Sequence, residues 1–416
     1  MDRETLVYVA LGENDRLVGR LWTRVRRGRE SATFQYDDAW LEDPERFALE
    51  PALSLGPGAH HTAAGRANFG ALGDSAPDRW GRALMGRAER RLSRAEERAP
   101  RTLTELDFLL QVSDRSRQGA LRFKAKPDGP FLGDAGAYAV PPLIELPRLL
   151  AASDRVLDED DDALLALLLA PGSSLGGARP KASVVDMDGA LAIAKFPKHD
   201  DDIDVVRWEA VALTLASRAG IDTAAWRLER PDNRSVLIVR RFDRDGAHRI
   251  PYLSAMSMLG ANDGDQRSYL EIADALRQHG ASATVDRQAL WRRIVFSVLI
   301  SNTDDHLRNH GFLYDGTAGW RLSPAFDLNP VPIDLKSRFL STAIDLEDNA
   351  ASIELALSVA HHFALDADSA RAVAKDVANA VADWRQVAAE LALQRGAIER
   401  MASAFEHADL QMAQAF

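Results

Sequence analysis

The stretch SNTDDHLRNHGFLYDGTAGWRLSPAFD, Ser301 to Asp327, decides how this chain is read. Asp304 precedes Asn309 by five positions, the spacing of a loop in which an aspartate orients an attacking hydroxyl and an asparagine reaches a magnesium ion. His310 to Tyr314 and Trp320 to Leu322 read as two short strands joined by a glycine-containing turn. A hairpin brings its open ends together, so Asn309 and Asp327 can reach one place. One carboxylate and one carboxamide beside ATP phosphates are enough protein for Mg2+, a hard cation that keeps several waters. Each of the three alone is equally a polar residue of a surface hairpin; their joint spacing predicts metal-dependent phosphoryl transfer.

Upstream, PGSSLGGARPK (Pro171 to Lys181) collects small residues and ends in two cations ahead of a predicted strand, Ala182 to Asp186. Its glycines let backbone amides approach phosphate oxygens and Lys181 adds charge, although GxxxxGK[ST] is absent and a flexible turn is an equal reading. The run Ala190 to Phe196 is apolar on both faces, which predicts burial, and Lys195 interrupts it. A buried ammonium must meet an anion, either a carboxylate or a bound phosphate. Asp202 or Asp204 is placed to cap a helix through VVRWEAVALTLASRA that Gly220 ends. Glu209 lies inside it, and a Lys195–Glu209 pair would satisfy both charges; the alternative is a solvent-facing Glu209. Val236 to Val239 is a further predicted strand, leading into Arg240-Arg241-Phe242-Asp243-Arg244, where an interlobe linker would contact adenine.

The 416 residues suggest two or three domains. A balance of 51 basic against 62 acidic side chains, net −11, disfavours independent nucleic-acid binding by the chain as a whole while leaving room for a local basic patch. There is no cysteine, hence no thiolate metal site or disulfide, in keeping with a reducing cytoplasm. No secretion signal or membrane-length apolar run is read, so a soluble, cytoplasmic protein without membrane contact is expected. Leu6 to Leu11, Leu17 to Trp22 and Ala32 to Tyr36 predict an amino-terminal sheet, and Asp74 or Ser75 is placed to cap a helix through Trp80 and Leu84. Asp74 and Asp78 are read as helix-start and surface residues. The acidic run Asp158 to Asp162 leads into a predicted helix, with a domain boundary near 140–155. Beyond residue 250 helical periodicity dominates, ending in the stripe Val373, Val377, Val381, Trp384, Val387 and Leu391. The fold class is α+β: segment 1–145 mixed, 146–250 a small lobe and 251–416 a helical lobe.

FGALGDSAPDRWGR, SSLGGARPKASV, AIAKFP, RRFDR, NTDDHLRNHGFL and SPAFDLNP occur in this order, and together they resemble the HipA family, serine/threonine kinase toxins of bacterial toxin–antitoxin pairs. The resemblance spans nearly the whole chain. It implies a HipA-type amino-terminal domain followed by a two-lobed kinase-like core similar to phosphatidylinositol kinases. It also implies ATP and Mg2+ as cofactors, Asp304 as catalytic residue, and Asn309 and Asp327 as metal ligands. Lys181, Lys195, Glu209, Gly176, Gly177, Arg241, Phe242 and His306 fall on the nucleotide side, with His306 equally readable as a core histidine. Ser174 matches the loop serine whose autophosphorylation switches relatives off, and is otherwise an ordinary turn serine. The implied partners are a HipB-like helix-turn-helix antitoxin and a protein of the translation machinery, by precedent an aminoacyl-tRNA synthetase such as glutamyl-tRNA synthetase; DNA is reached only through the antitoxin. A lipid or small-molecule kinase, or a non-catalytic nucleotide-binding corepressor, are the alternatives. Asp305 stands where relatives commonly carry arginine, and Arg240 where some carry an acid.

Overall fold

The computed structural model describes residues 3–133, 140–141, 143–157, 168, 179–198 and 200–416. The chain forms two compact units: Met1–His199 with Glu229–Leu253, and Asp200–Leu228 with Ser254–Phe416. Helix 205–218 belongs with the later helices, while Val236–Arg240 pairs with the earlier strand Leu191–Lys195.

In the first unit, β1 (Arg3–Leu11) and β2 (Asn14–Arg26) are joined by a two-residue turn. Gly12 sits there at φ 57°, the left-handed conformation such turns require. With β3 (Arg29–Tyr36), β4 (Ala59–His61) and β5 (Leu121–Lys124) they make an antiparallel sheet in the order β4-β3-β2-β1-β5. Helix α1 (Arg79–Ala95) follows. Its cap is Asp78, which accepts Gly81 N–H at 2.7 Å, rather than Asp74 or Ser75. Pro77 disfavours helical backbone at Ala76, so a short helix stops at Asp74 and a new one starts beyond the proline.

Strands β6 (Lys181–Val185), β7 (Leu191–Lys195) and β8 (Val236–Arg240) lie side by side, antiparallel. One face of them shares a core with α1 and α2 (Leu146–Leu157): Trp80, Leu84, Leu149, Ala182, Ala194 and Ile238 are among its members. Residues at the stretch read as a domain boundary thus contribute Leu146, Leu149 and Leu150 to a core. The run expected to be buried on both faces is closed on one: Ala192 and Ala194 are buried, whereas Leu191, Ile193 and Lys195 are half-buried. The acidic run at 158–162 lies outside the described residues.

The second unit is mostly helical. Helix α3 (Val205–Arg218) starts at Asp204, whose carboxylate accepts Arg207 N–H at 3.1 Å. It ends with Gly220 at φ 71° and Ile221 N–H bonded back to Ala216 carbonyl, a left-handed glycine stop. Trp208 on α3 meets Trp384 and Phe405, which stack at 4.6 Å. The carboxyl-terminal stripe is split at Asp383, between α6 (Ala367–Ala382) and α7 (Trp384–Glu390), and still buries Val377, Val381, Trp384 and Val387. Between α4 (Tyr269–His279) and these lies α5 (Ala283–Leu299), whose Leu290, Trp291, Ile294, Val295, Phe296, Val298 and Leu299 are all fully buried. Its last six residues, Ile294 to Leu299, are buried on every side, the mark of a central helix. No described helix is long and apolar enough to cross a membrane.

Glu50 gives the first unit a measurable pH response. It is 2% exposed and accepts Ala71 N–H at 2.5 Å, and burial raises its pKa to about 7. A carboxyl raised in the folded state stabilises fully below its unfolded pKa, and that contribution is lost as pH rises to the folded value. Glu50→Gln should therefore gain stability relative to the parent between about pH 4.5 and 7, by up to about 3 kcal/mol. Parallel denaturant melts at pH 5 and pH 8 check this, and an equal difference at both would refute it.

Candidate active site

Helix α5 runs directly into the loop that opened the sequence reading. Ser301 takes φ 52°, and Asn302 N–H bonds back to Ser297 carbonyl at 2.8 Å, so the helix stops in the manner usually given to glycine. A serine is held there because its hydroxyl donates to Ala404 carbonyl and accepts Arg338 Nε. Ser301, Asn302, Thr303 and Asp305 are all buried, while Asp304 between them is exposed. The Asp304 carbonyl accepts His306 N–H at 2.9 Å and Asn309 Nδ2 at 3.1 Å. Among the described residues its carboxylate has no partner. The backbone is fixed and the acid is left to solvent.

Asp305 supplies the fixing. Its carboxylate, 3% exposed, accepts Tyr269 Oη at 2.6 Å and Ser297 Oγ at 3.0 Å, and lies 3.1 Å from His310 Nε2. Its carbonyl accepts Thr342 Oγ1 at 2.7 Å. Burial pushes this carboxyl up, but His310 and the donated hydrogen bonds outweigh it and hold the pKa below the usual carboxylate range. Tyr269 is pushed well above the ordinary tyrosine value by burial and by Asp305. Sequence reading treated Asp305 only as a departure from an arginine; a buried anion cannot be told from an exposed one by residue type. Its signal lay in His310, five positions on, and in Tyr269, which is distant along the chain.

The expected hairpin forms. Strands β9 (Gly311–Tyr314) and β10 (Trp320–Leu322) pair with Phe312 opposite Leu322, and Ser323 N–H reaches Gly311 carbonyl. Asp286 on α5 holds it, accepting Arg321 Nε at 2.9 Å and Leu322 N–H at 3.1 Å. The segment after it returns to the loop: Asn302 Oδ1 accepts Asn329 N–H at 3.2 Å and Ser301 carbonyl accepts Val331 N–H at 3.2 Å. Asp327, half-buried, sits within this return at φ 56°. Left-handed backbone at a residue other than glycine is strained, and here it falls on an expected metal ligand. Asn302, which ties the two segments together, was not singled out from sequence.

Asn309 is 7% exposed, and with Nδ2 committed to Asp304 carbonyl its Oδ1 is the end that remains for a cation. Among the described residues no group of three or more His, Asp or Glu side chains could hold a metal by itself. A carboxamide and a carboxylate oxygen, as Asn309 and Asp327 carry, are the donor types that Mg2+ takes beside phosphate and water. His306 is half-buried, and its Nδ1 is buried without a hydrogen bond among the described residues.

In the first unit Lys181 is directly opposite Lys195 on β6 and β7. Two ammonium groups facing each other across a strand pair repel, and Asp78 relieves this from 3.0 Å away, with Lys181 and Asp78 side chains 6% and 4% exposed. Asp78 is therefore no surface acid. It caps α1 and neutralises Lys181 at once. Arg241 is 3% exposed and paired with Asp243 at 2.5 Å, and it donates to Ser116 and Arg117 carbonyls. Asp243 also accepts Gly119 N–H and Arg244, and Asp114 receives Arg249 and Arg122. Burial raises and the adjacent guanidiniums lower the Asp243 pKa, and the guanidiniums win. RRFDR thus locks β5 and its approach to β8. Phe242 is half-buried, 6.3 Å from the Tyr252 ring. In the second unit Glu209 is 4% exposed on α3, which removes the solvent-facing alternative. Ser174, Gly176 and Gly177 lie outside the described residues.

Residues 173–385, just over half of the chain, match the family model of the HipA-like C-terminal domain. The chain belongs to the HipA family. The candidate kinase Y4mE of Sinorhizobium fredii is 28% identical over 341 residues, 75% of this chain and 74% of Y4mE. A candidate kinase of Haemophilus influenzae is 30% identical over 117 residues, 25% of this chain and 34% of that protein. HipA of Shewanella oneidensis, solved with HipB and its operator DNA, superposes with a TM-score of 0.66 at 17% identity, covering 98% of this chain and 96% of that one. The α+β HipA fold expected from the motifs is therefore the fold observed.

Because Asp305 takes three side-chain contacts in a buried site, Asp305→Ala should destabilise the second unit by about 3 kcal/mol. Chemical denaturation measures this, and a change within about 0.5 kcal/mol, the surface range, would contradict it.

Proposed function

We propose that this HipA-family chain is a serine/threonine protein kinase that moves the γ-phosphate of ATP to a protein hydroxyl. The observation that carries the reading is Asp304: an exposed carboxylate, unpartnered among the described residues, flanked by Ser301, Asn302, Thr303 and Asp305, which are buried. An aspartate so held can accept a hydrogen bond from an incoming hydroxyl and orient its oxygen toward phosphorus. Asn309 and Asp327 would hold Mg2+, which supplies charge neutralisation on the phosphates when bound. Lys181 and Lys195 are assigned to phosphate contact, Lys181 keeping Asp78 as counter-ion. Glu209, buried and acidic, is assigned as the carboxylate for Lys195. Gly176, Gly177, Arg241, Phe242 and His306 stay on the nucleotide side of the proposal, Arg241 through its backbone because its guanidinium is already engaged.

The kinship with Y4mE supports the kinase reading, and membership of the HipA family motivates a place in a toxin–antitoxin pair. The proposed partner is a HipB-like helix-turn-helix protein, since the Shewanella protein was solved with HipB. The proposed substrate is a component of the translation machinery such as an aminoacyl-tRNA synthetase, and Ser174 the site of autophosphorylation.

Purified protein with radiolabelled ATP and Mg2+ should label itself or a lysate protein, and EDTA should abolish the label. Asp304→Asn should reduce it by at least about a hundredfold, the low end of what a positioned acid–base group contributes. Its melting temperature should be unchanged, because the side chain is exposed. Undiminished labelling by this variant would remove Asp304 from the chemistry. Label appearing on vesicle lipid instead of protein would favour the lipid-kinase reading.

A further inference from the structure

The segment that follows Asp327 is hydrogen-bonded to the Asp304 loop along its length, and one of those bonds comes from a serine that the fold leaves open. Val331 N–H reaches Ser301 carbonyl and Thr342 Oγ1 reaches Asp305 carbonyl. Between them, Lys336 Nζ and Ser341 Oγ both donate to Thr303 carbonyl, at 3.0 and 2.9 Å. Thr303 is fully buried, and its carbonyl belongs to the peptide that leads into Asp304. Ser341 itself is exposed, as is every residue from Ile333 to Ser337. Ile333 and Phe339 stand 59% and 55% exposed, so another protein's active site can reach this stretch.

Of the three charged side chains between Ile333 and Ser341, two are paired: Arg338 binds Asp409 and Asp334 lies 3.3 Å from Arg400. The third, Lys336, is exposed and meets no carboxylate among the described residues, in a chain whose net charge is −11. Its ammonium is engaged by a neutral carbonyl, beside the hydroxyl that shares that carbonyl. A cation without a counter-charge next to an accessible hydroxyl is the surrounding that suits a phosphoserine. The phosphate brings close to two negative charges, and its oxygens accept an ammonium more strongly than a carbonyl does.

We propose that Ser341 is a phosphorylation site that switches this kinase off, an inference that rests on the kinase chemistry proposed above. A second copy of the chain acts on it. The bond between the γ-phosphorus of ATP and its bridging oxygen breaks, Ser341 Oγ bonds to phosphorus, the Oγ proton passes to Asp304 of the acting copy, and ADP leaves. The acting copy is a second one because the Ser341 proton is directed at Thr303 carbonyl of its own chain, and the Asp304 carboxylate has no partner among the described residues. Once modified, the ester oxygen has no proton to donate and Lys336 turns to the phosphate, so Thr303 carbonyl loses both donors. A buried carbonyl left without partners is costly, and the peptide entering Asp304 shifts. The new anion also repels the Asp304 carboxylate and the ATP phosphates that must approach it.

The test uses the full chain carrying Ser174→Ala, so that Ser341 is the remaining assigned acceptor, incubated with ATP, Mg2+ and a tagged Asp304→Asn copy. Mass spectrometry should find phosphate on Ser341 of the tagged copy, and none there when the acting copy also carries Asp304→Asn. Preincubation with unlabelled ATP until Ser341 is modified should lower the rate at which the chain labels a lysate protein at least about tenfold, within the range of coupling between two sites. Phosphatase treatment should restore the rate. Ser341→Thr keeps a hydroxyl and should decline on preincubation as Ser341 does. Ser341→Ala should show no decline, whatever its starting rate, which separates the switch from mere loss of the Thr303 bond. Lysate label with no phosphate on Ser341 would overturn the proposal and leave the kinase reading standing, as would a modified Ser341 with an unchanged rate. Absence of label on every protein would remove the kinase reading itself, and the switch with it.

Discussion

Asp305 is buried one residue after an aspartate that faces solvent, and the loop's geometry follows from that difference. Taking a carboxylate out of water costs several kcal/mol unless donors surround it. Tyr269 from α4, Ser297 from α5 and His310 from the start of the hairpin all come to it, with Thr342 on its carbonyl. Four separate stretches are tied to one residue, and Asp304 and Asn309 are carried on the backbone between those ties. The loop cannot shift register without leaving a buried charge unpaired. The exposed acid is thereby pre-positioned.

A second constraint works in the same way in the other unit. Lys181 and Lys195 are brought face to face by strand register, which like charges oppose. Asp78, at the head of α1, offsets one of them and fixes how that helix docks, because the same carboxylate is its cap. Trp80, two residues on, donates to Lys181 carbonyl at 3.1 Å. The Arg241–Asp243 pair does for RRFDR what Asp78 does for Lys181: a buried cation and anion fix a segment whose sequence looks like a basic surface linker.

How much of this was legible without coordinates differs by element. The amino-terminal hairpin, the helix through Glu209 with its Asp204 and Gly220 ends, and the β9–β10 hairpin could be read because each rests on local signals: alternation, caps and turns. The offset between Asp304 and Asn309 was legible for the same reason. The cap at Asp78, the break at Asp383 and the tie from Asn302 to Asn329 were not, since a proline-bound helix start, a short interhelical turn and a long-range amide contact leave little trace in nearby residues. Asp78 read as a solvated acid because nothing within its own turn says that a lysine a hundred residues later will lie against it.

By itself the sequence determined the periodicities, the terminators and the order of motifs, and these suffice for the α+β class and the HipA family, because they depend on neighbours a few positions apart. Tertiary structure alone decided which charges are buried. Asp304 and Asp305 are chemically identical and adjacent; one is left to solvent and the other enclosed because the solvation cost of a carboxylate is set by what the rest of the fold places around it.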